Sequence, residues 1–271
     1  LGFIFNGGLI WVMTAWFLAT LIAAAASWFL VIRLTNVVWK VNWDVVRNIG
    51  VEALPAGGLL LVSSIYNKID VVILQYFQGD NAVGIYSLSY KVHENLVLGS
   101  AFLMNSTLPF LSKQFVQKNS LIELKTLYQK TFDILLGLAI FIFISIFILA
   151  PLIIGVLGGG TFSPSIGVLR ILLIATVLSY FNHLTGYSLL AFGKQRTSLV
   201  IALAALVFNV VANLIFIPLY SYNAAVVITI ATEAGVLILS SIIVCRVIGI
   251  FPSLFSITRT WSEIIKIIWK R

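Results

Sequence analysis

Two consecutive apolar stretches of the chain, 55–78 and 84–110, each carry a cluster of polar side chains near the middle. The clusters contain Asn67, Lys68 and Asp70 in the first stretch and Lys91, Glu94 and Asn95 in the second. If the stretches are antiparallel helices, Lys68 faces Glu94, Asp70 faces Lys91, and the two asparagines face each other. About ten residues at roughly 1.5 Å each place both clusters about 15 Å deep, the middle of a bilayer core about 30 Å thick. Charged groups at that depth usually mark the path of a solute or an ion.

The same pattern leaves a structural alternative open. Each ionised side chain costs about 2.5–3.5 kcal/mol at mid-membrane, whereas each Leu, Ile, Val or Phe returns only about 0.3–0.6 kcal/mol. Such helices are tolerated if their charges pair with one another or face a water-filled cavity. We therefore expect the clusters either to bind a solute or coupling ion, or to form a closed ion-pair network that fixes helix packing. Four charges on two helices favour the first interpretation.

A weaker polar cluster lies in the last two apolar stretches, 199–220 and 223–248. Asn209 and Asn213 are one helical turn apart and lie at nearly the same depth as Glu233 on the other side of a turn. A carboxylate at this depth can exchange a proton, which an ion-coupled carrier requires. The alternative is that Glu233 is hydrogen-bonded to an asparagine and holds the helices together.

The composition indicates the solvent in which these stretches fold. Of the 271 residues, 61% are hydrophobic and only 10% are charged, whereas soluble domains are about 25% charged. The sequence therefore predicts an all-α, polytopic membrane protein. A single cysteine, Cys245, excludes an internal disulfide, and two histidines with one cysteine cannot build a structural zinc site. No phosphate-binding loop or catalytic constellation is recognisable, so we expect no enzyme activity and no cofactor beyond a coupling H⁺ or Na⁺.

Seven apolar stretches have a length near or above the ~20 residues that a membrane-spanning helix needs. They are 9–32, 55–78, 84–110, 132–157, 166–192, 199–220 and 223–248. In this topology 14 of the 17 basic residues lie on one side, which the positive-inside rule makes cytoplasmic. The net charge of +8 is then a topology signal, the C-terminus is predicted to be cytoplasmic, and no nucleic-acid partner is expected. A parent chain with a cytoplasmic N-terminus would have an odd number of further spans, and five would make twelve.

Two segments outside the spans, 36–48 and 254–269, have the periodicity of amphipathic helices. We expect both to lie on the cytoplasmic surface of the bilayer and to contact membrane lipids. The predicted organisation is the last helix of an N-terminal lobe with an amphipathic linker in 1–50. A six-helix transmembrane lobe follows in 51–248, and a basic amphipathic tail in 249–271.

Two sets of motifs carry a family resemblance. Residues 67–90 read NKIDVVILQYFQGDNAVGIYSLSY and residues 108–112 read LPFLS. The second set contains FGKQR at 192–196, Asn209, Asn213, IPLY at 217–220, and Thr232-Glu233. Over about 50–248 the chain resembles polysaccharide flippases, the O-antigen and capsule-repeat exporters of the MATE-like MOP superfamily. The residues that match the pattern of the first hairpin are Asp70, Gly84, Tyr86, Tyr90 and Lys91. A departure from the family is Ser221-Tyr-Asn-Ala-Ala, which replaces a Gly-rich turn.

The resemblance implies a transporter of two six-helix lobes around a central cavity that opens alternately to each face. This chain would be the C-terminal lobe and one preceding helix. Its substrate would be an undecaprenyl-diphosphate-linked oligosaccharide, carried across a bacterial inner membrane. We expect the substrate headgroup at Lys68, Lys91, Asn67 and Asn95, and ion coupling at Asp70, Glu94, Glu233, Asn209 and Asn213. The expected partners are the lipid-linked oligosaccharide, membrane lipids, and the missing N-terminal lobe or the polysaccharide polymerase machinery.

Two other functions stay open. A multidrug/cation antiporter of the same superfamily would keep the helices but select cationic drugs, which Lys68 and Lys91 would repel. A non-transporting scaffold of a glycan-synthesis complex would use the same charges only for stability and partner binding.

Overall fold

The computed structural model describes residues 8–34, 43–116, 121–249, 251–253, 256 and 260–262. Its helices are α1 (Gly8–Leu34), α2 (Trp43–Tyr66), α3 (Ile69–Val116), α4 (Leu121–Gly158), α5 (Ser165–Ala191) and α6 (Gln195–Ile248). A short 3₁₀ turn, Gly160–Phe162, precedes α5. These ranges contain no strand, and the predicted all-α class is confirmed.

Five helical stretches of the described chain are long and apolar enough to cross a membrane, which confirms the prediction of a polytopic membrane protein. Two of the helices contain a residue with non-helical backbone angles. These residues are Gly79 in α3 (φ 75°, ψ −174°) and Ser221 in α6 (φ 55°, ψ −141°). Each of these long helices is therefore two helices joined by a tight turn, and both turns lie where the sequence predicts them.

One predicted helix, the apolar stretch 55–78, is not continuous. It is interrupted where α2 ends at Tyr66 and α3 begins at Ile69. Side chains with short polar groups compete with the helix for backbone partners, and the Val71 N–H here donates to the Asp70 carboxylate oxygen Oδ1 at 2.8 Å. The prediction of an unbroken helix through the polar cluster was therefore wrong, because the polar residues themselves favour a break.

The chain divides into two compact units, Leu1–Val51 and Glu52–Arg271. In the first unit, α1 is apolar along its whole length and long enough to cross a membrane. In the second unit, α5 packs against α3, α4 and α6. The assignment of 1–50 to an N-terminal lobe stays a prediction.

Small polar side chains connect α3 to α5. The Ser165 hydroxyl donates to the Ile85 carbonyl at 2.8 Å, and the Ser89 hydroxyl donates to the Ser165 carbonyl at 2.8 Å. Farther along the same interface, His93 Nδ1 and Thr176 Oγ1 are 2.9 Å apart. Small residues let helices approach closely, and interhelical hydrogen bonds in a membrane contribute about 0.6 kcal/mol each. These contacts fix the helix that carries the second polar cluster.

A proline in α4 has a dedicated partner on α5. Pro151 has no N–H, so the carbonyl of Phe147, four residues earlier, has no donor within the helix. Arg170 Nε donates to that carbonyl at 3.2 Å, and the guanidinium lies 4.8 Å from the centre of the Phe147 ring. Arg170 therefore satisfies the backbone group that Pro151 leaves open and joins α4 to α5.

Candidate functional site

The first polar cluster lies at the break between α2 and α3. Asn67 and Lys68 form a two-residue turn, and their N–H groups donate to the Ser63 and Ile65 carbonyls, each at 3.0 Å. Asp70 follows in the first turn of α3. Irregular backbone at membrane depth is tolerated only where it is buried in protein or lines a water-filled cavity. The break therefore requires polar surroundings, which the neighbouring side chains supply.

Glu94 pairs with both lysines of the two clusters. Its Oε1 binds Lys68 Nζ, and its Oε2 lies 3.4 Å from Lys91 Nζ. The Lys68 ammonium also lies over the Tyr90 ring, 5.4 Å from its centre. The side chains of Lys68 and Lys91 are 59% and 72% exposed, compared with 29% for Glu94. The predicted pairing of Lys68 with Glu94 is therefore formed. Because two ammonium groups share one carboxylate, the cluster of these three side chains is accessible and carries a net positive charge.

The predicted pairing of Asp70 with Lys91 was wrong. Asp70 is only 2% exposed, and its carboxylate accepts hydrogen bonds from the Tyr86 hydroxyl and the Val71 N–H. The Tyr86 hydroxyl also lies 3.3 Å from Thr229 Oγ1 on α6. The register was derived for an unbroken helix, and the turn ahead of Ile69 changes the direction in which Asp70 points.

The predicted contact between the two asparagines of the hairpin is also not formed. Asn95 Nδ2 donates to the Lys91 carbonyl of its own helix at 2.7 Å. The Asn67 side chain has no hydrogen bond to Asn95 within the described chain, although it is half-buried at the break. Asn95 thus lies beside the lysines but is separate from Asn67.

Asn209 and Asn213 form a buried pair on α6. Asn213 Nδ2 donates to Asn209 Oδ1 at 2.8 Å, and Asn209 Nδ2 donates to Thr232 Oγ1 at 3.3 Å. Both asparagines are almost fully buried. Among the described residues, Asn213 Oδ1 is a buried acceptor that no donor reaches. The bond from Asn209 to Thr232 therefore connects the two halves of α6 across the turn at Ser221, and one amide oxygen of the pair accepts no hydrogen bond from the described residues.

Glu233 is a buried carboxylate near the same helix break, with 8% of its surface exposed. It accepts hydrogen bonds from the Tyr66 hydroxyl, from Ser179 Oγ at 2.9 Å and from Asn182 Nδ2 at 2.7 Å. Asn182 Nδ2 also donates to the Glu233 backbone carbonyl at 2.9 Å. The expected asparagine partner exists, but it belongs to α5 and not to the Asn209 pair.

The three donors to Glu233 were missed by the reasoning from sequence. Ser179 and Asn182 are three residues apart on α5 and so share a helix face, which is a usable signal. Tyr66 directly precedes the first polar cluster, at the last residue of α2. Neither signal indicates which carboxylate these residues bind, because that depends on how α2 and α5 lie relative to α6.

Comparison with known proteins assigns the chain to a family. Residues 55–215 match the MatE family over more than half of the chain. The chain belongs to the MatE family. Members of the MatE family are transporters, and this chain is a multi-pass membrane protein. No curated protein and no solved structure matches the chain. The matched range contains both hairpin clusters and the Asn209 pair, whereas Glu233 lies beyond its end.

In this MatE-family chain, two short segments connect the polar groups. Residues 66–70 bind Glu233 through Tyr66, Glu94 through Lys68, and Tyr86 through Asp70. In residues 229–233 of α6, Thr229 contacts the Tyr86 hydroxyl and Glu233 accepts a hydrogen bond from the Tyr66 hydroxyl. The arrangement brings exposed ammonium groups, Lys68 and Lys91, and buried carboxylates, Asp70 and Glu233, to one helix break. Ammonium groups are ligands of anions, and carboxylates are ligands of protons and small cations, so both kinds of group lie within the same short stretch of chain.

Proposed function

We propose that this MatE-family chain is the C-terminal lobe of a flippase that carries undecaprenyl-diphosphate-linked oligosaccharides across the bacterial inner membrane. The observation that carries the proposal is the pair of accessible lysines, Lys68 and Lys91, beside a helix break. Ammonium groups are strong ligands of phosphate oxygens, and a diphosphate offers enough of them for both lysines. The motif resemblance of residues 67–90 to polysaccharide flippases supports the same substrate.

The headgroup would bind at the exposed end of the broken hairpin. Lys68 and Lys91 attract the diphosphate, and in this proposal the neighbouring residues Asn67 and Asn95 supply amide groups for phosphate or sugar oxygens. The polyprenyl tail would stay in the bilayer while the headgroup crosses a wet cavity. The proposed opposing wall of that cavity belongs to the N-terminal lobe, and alternating access then moves one lobe against the other.

Ion coupling would use the buried side of the same break. Asp70 and Glu233 are buried carboxylates tied to the break by Tyr86 and Tyr66. Exchange of H⁺ or Na⁺ at either carboxylate, with help from Asn209 and the open oxygen of Asn213, would change these tethers. Glu94 takes a different place, because both lysines bind it. It therefore acts on the headgroup in this proposal.

The proposed orientation has the C-terminus in the cytoplasm. Basic residues at the ends of the helices, including Lys113, Lys194 and Arg246, fall on one side of the predicted topology. A cytoplasmic origin of the lipid-linked oligosaccharide then sets the direction of transport as outward. The proposed partners are that lipid, the surrounding membrane lipids, and the N-terminal lobe or the polysaccharide polymerase machinery.

A multidrug/cation antiporter is the second candidate. The match to the MatE family favours it as much as it favours a flippase, and the buried carboxylates Asp70 and Glu233 suit an exchanged cation. The two exposed lysines disfavour a cationic substrate. Drug susceptibility of a host strain that expresses the complete gene separates the two: lowered susceptibility supports the antiporter, and unchanged susceptibility supports the flippase.

The experiment that tests the flippase is complementation of a flippase-null strain by the complete gene. The test variant carries Lys68→Gln, Asp70→Asn, Lys91→Gln and Glu94→Gln. The matched control removes two lysines and two acids that are exposed elsewhere: Lys113→Gln, Lys194→Gln, Asp80→Asn and Glu123→Gln. We expect surface glycan from the parent and the control, and its loss in a normally inserted test variant. Equal glycan from both variants would reduce the clusters to structural pairing, and no glycan from the parent would refute the flippase.

A further inference from the structure

Described residues beyond α6 lie against α4. Gly249 ends α6 in the left-handed region (φ 76°), where its N–H donates to the Cys245 carbonyl at 2.7 Å. Glycine reaches this conformation without strain, so the backbone turns sharply there. Three turns into α4, Gln129 and Asp133 occupy one face of the helix, and described residues of the C-terminal segment lie against them.

Gln129 binds this segment through its whole amide group. Its Oε1 accepts the Ser253 N–H at 2.8 Å, and its Nε2 donates to the Ser253 carbonyl at 2.8 Å. The same Nε2 lies 2.7 Å from Ser256 Oγ and 3.0 Å from Asp133 Oδ1. A side-chain amide that pairs with both backbone groups of one residue specifies the position of that residue, as a neighbouring strand would.

Asp133 has no exposed surface, and the C-terminal segment supplies most of its hydrogen bonds. Ser256 Oγ donates to its Oδ1 at 2.8 Å, and Thr260 Oγ1 donates to its Oδ2 at 2.5 Å. If the segment leaves, only Gln129 of these partners remains. The docked segment therefore both covers the Asp133 carboxylate and supplies the hydrogen-bond donors that its burial requires.

A notch in α4 accepts the ring of Trp261. The indole N–H donates to the Asp133 backbone carbonyl at 3.2 Å. A Cβ atom added at Gly137 would overlap the indole, so only glycine leaves room for the ring. Gly155 in the same helix has no neighbour within 4 Å at the corresponding place. The segment predicted to lie on the membrane surface thus directs one of its aromatic side chains to α4.

We propose that Ser253, Ser256, Thr260 and Trp261 form a C-terminal latch that clamps the first half of α4 to the end of α6. α4 and α6 share little direct packing, since α5 lies between them. The latch therefore adds a connection between these two helices at this end of the unit, where Leu124 and Tyr128 of α4 share an apolar cluster with Val244 and Ile248 of α6. With the latch docked, α4 moves together with α6. With the latch released, the first half of α4 is held by its packing against α5 and α3 and by a small direct contact with α6.

Hydrogen–deuterium exchange of the full-length protein in lipid nanodiscs tests the latch, with Gly137→Ala compared with Gly155→Ala. Both changes add the same methyl group to α4, so the gain in helix propensity cancels. In Gly137→Ala we expect about tenfold faster exchange in 251–262, because the docked state loses the contact of the Trp261 ring and its hydrogen bond and the segment opens more often. Exchange in 121–137 should rise as well, whereas Gly155→Ala should match the parent.

Two results would overturn the proposal. Equal exchange in 251–262 for both glycine variants would mean that Trp261 does not hold the segment. Faster exchange in 251–262 with unchanged exchange in 121–137 would mean that the segment docks but clamps nothing. If Gly137→Ala does not fold, Ser256→Ala with Thr260→Val removes the donors from the segment and leaves α4 intact. Exchange is measured without substrate, so it is independent of the transported molecule.

Discussion

Replacing Glu94 with glutamine keeps the size and shape of the side chain but removes the negative charge between Lys68 and Lys91. In the structure both lysines are partly neutralised by this one carboxylate. An anionic headgroup that binds the lysines must therefore compete with Glu94. We expect Glu94→Gln to tighten the binding of a phosphate-containing ligand, whereas any variant that merely loosens the hairpin would weaken it.

The size of the effect follows from the geometry. Lys91 Nζ and Glu94 Oε2 are 3.4 Å apart, a separation at which two unit charges attract by about 1.2 kcal/mol in water. Both lysines are largely exposed, and exposed pairs retain roughly 0.2–1 kcal/mol. With about 0.5 kcal/mol for each lysine, the release of both amounts to about 1 kcal/mol. That free energy corresponds to about a fivefold lower dissociation constant.

Isothermal titration of the full-length protein with inorganic pyrophosphate measures this difference. The control is Asp80→Asn, which removes a carboxylate that pairs with Gln75 at 2.6 Å and not with a lysine. The gain in Glu94→Gln should shrink as salt is raised from low to physiological ionic strength, because exposed charges are screened. Unchanged or weaker binding in Glu94→Gln would refute the competition and assign Glu94 the role of orienting the lysines.

Two further predictions concern stability in detergent, measured as thermal unfolding midpoints. Ser221→Gly should raise the midpoint, because glycine relieves the positive-φ backbone strain of about 1 kcal/mol at this position. Ser64→Gly, the control inside α2, should lower the midpoint. A lower midpoint for Ser221→Gly would show that the backbone at Ser221 is not strained. Arg170→Met should destabilise by about 1–3 kcal/mol because the Phe147 carbonyl loses its donor. Pro151→Ala restores a backbone N–H there, so the double variant should lose less than the sum, and additive losses would refute the role of Arg170.

Several features were accessible from sequence because they depend on composition and period alone. The apolar content and the lengths of the stretches predicted an all-α membrane protein, and the turns near Gly79 and Ser221 were placed correctly. The pairing of Lys68 with Glu94 followed from the symmetry of the hairpin. The resemblance of the motifs to the MOP superfamily agrees with membership of the MatE family.

Other features were decided by tertiary structure. The break at Asn67–Lys68 depends on whether polar partners meet the freed backbone, and it redirected Asp70 from Lys91 to Tyr86. The donors to Glu233 come from α2 and α5, whose distance from α6 is not encoded in any local pattern. The residues next to Asp133 in the sequence likewise do not indicate its role. It accepts hydrogen bonds from Ser256 and Thr260 only because these residues, more than 100 positions later in the chain, lie against the same face of α4.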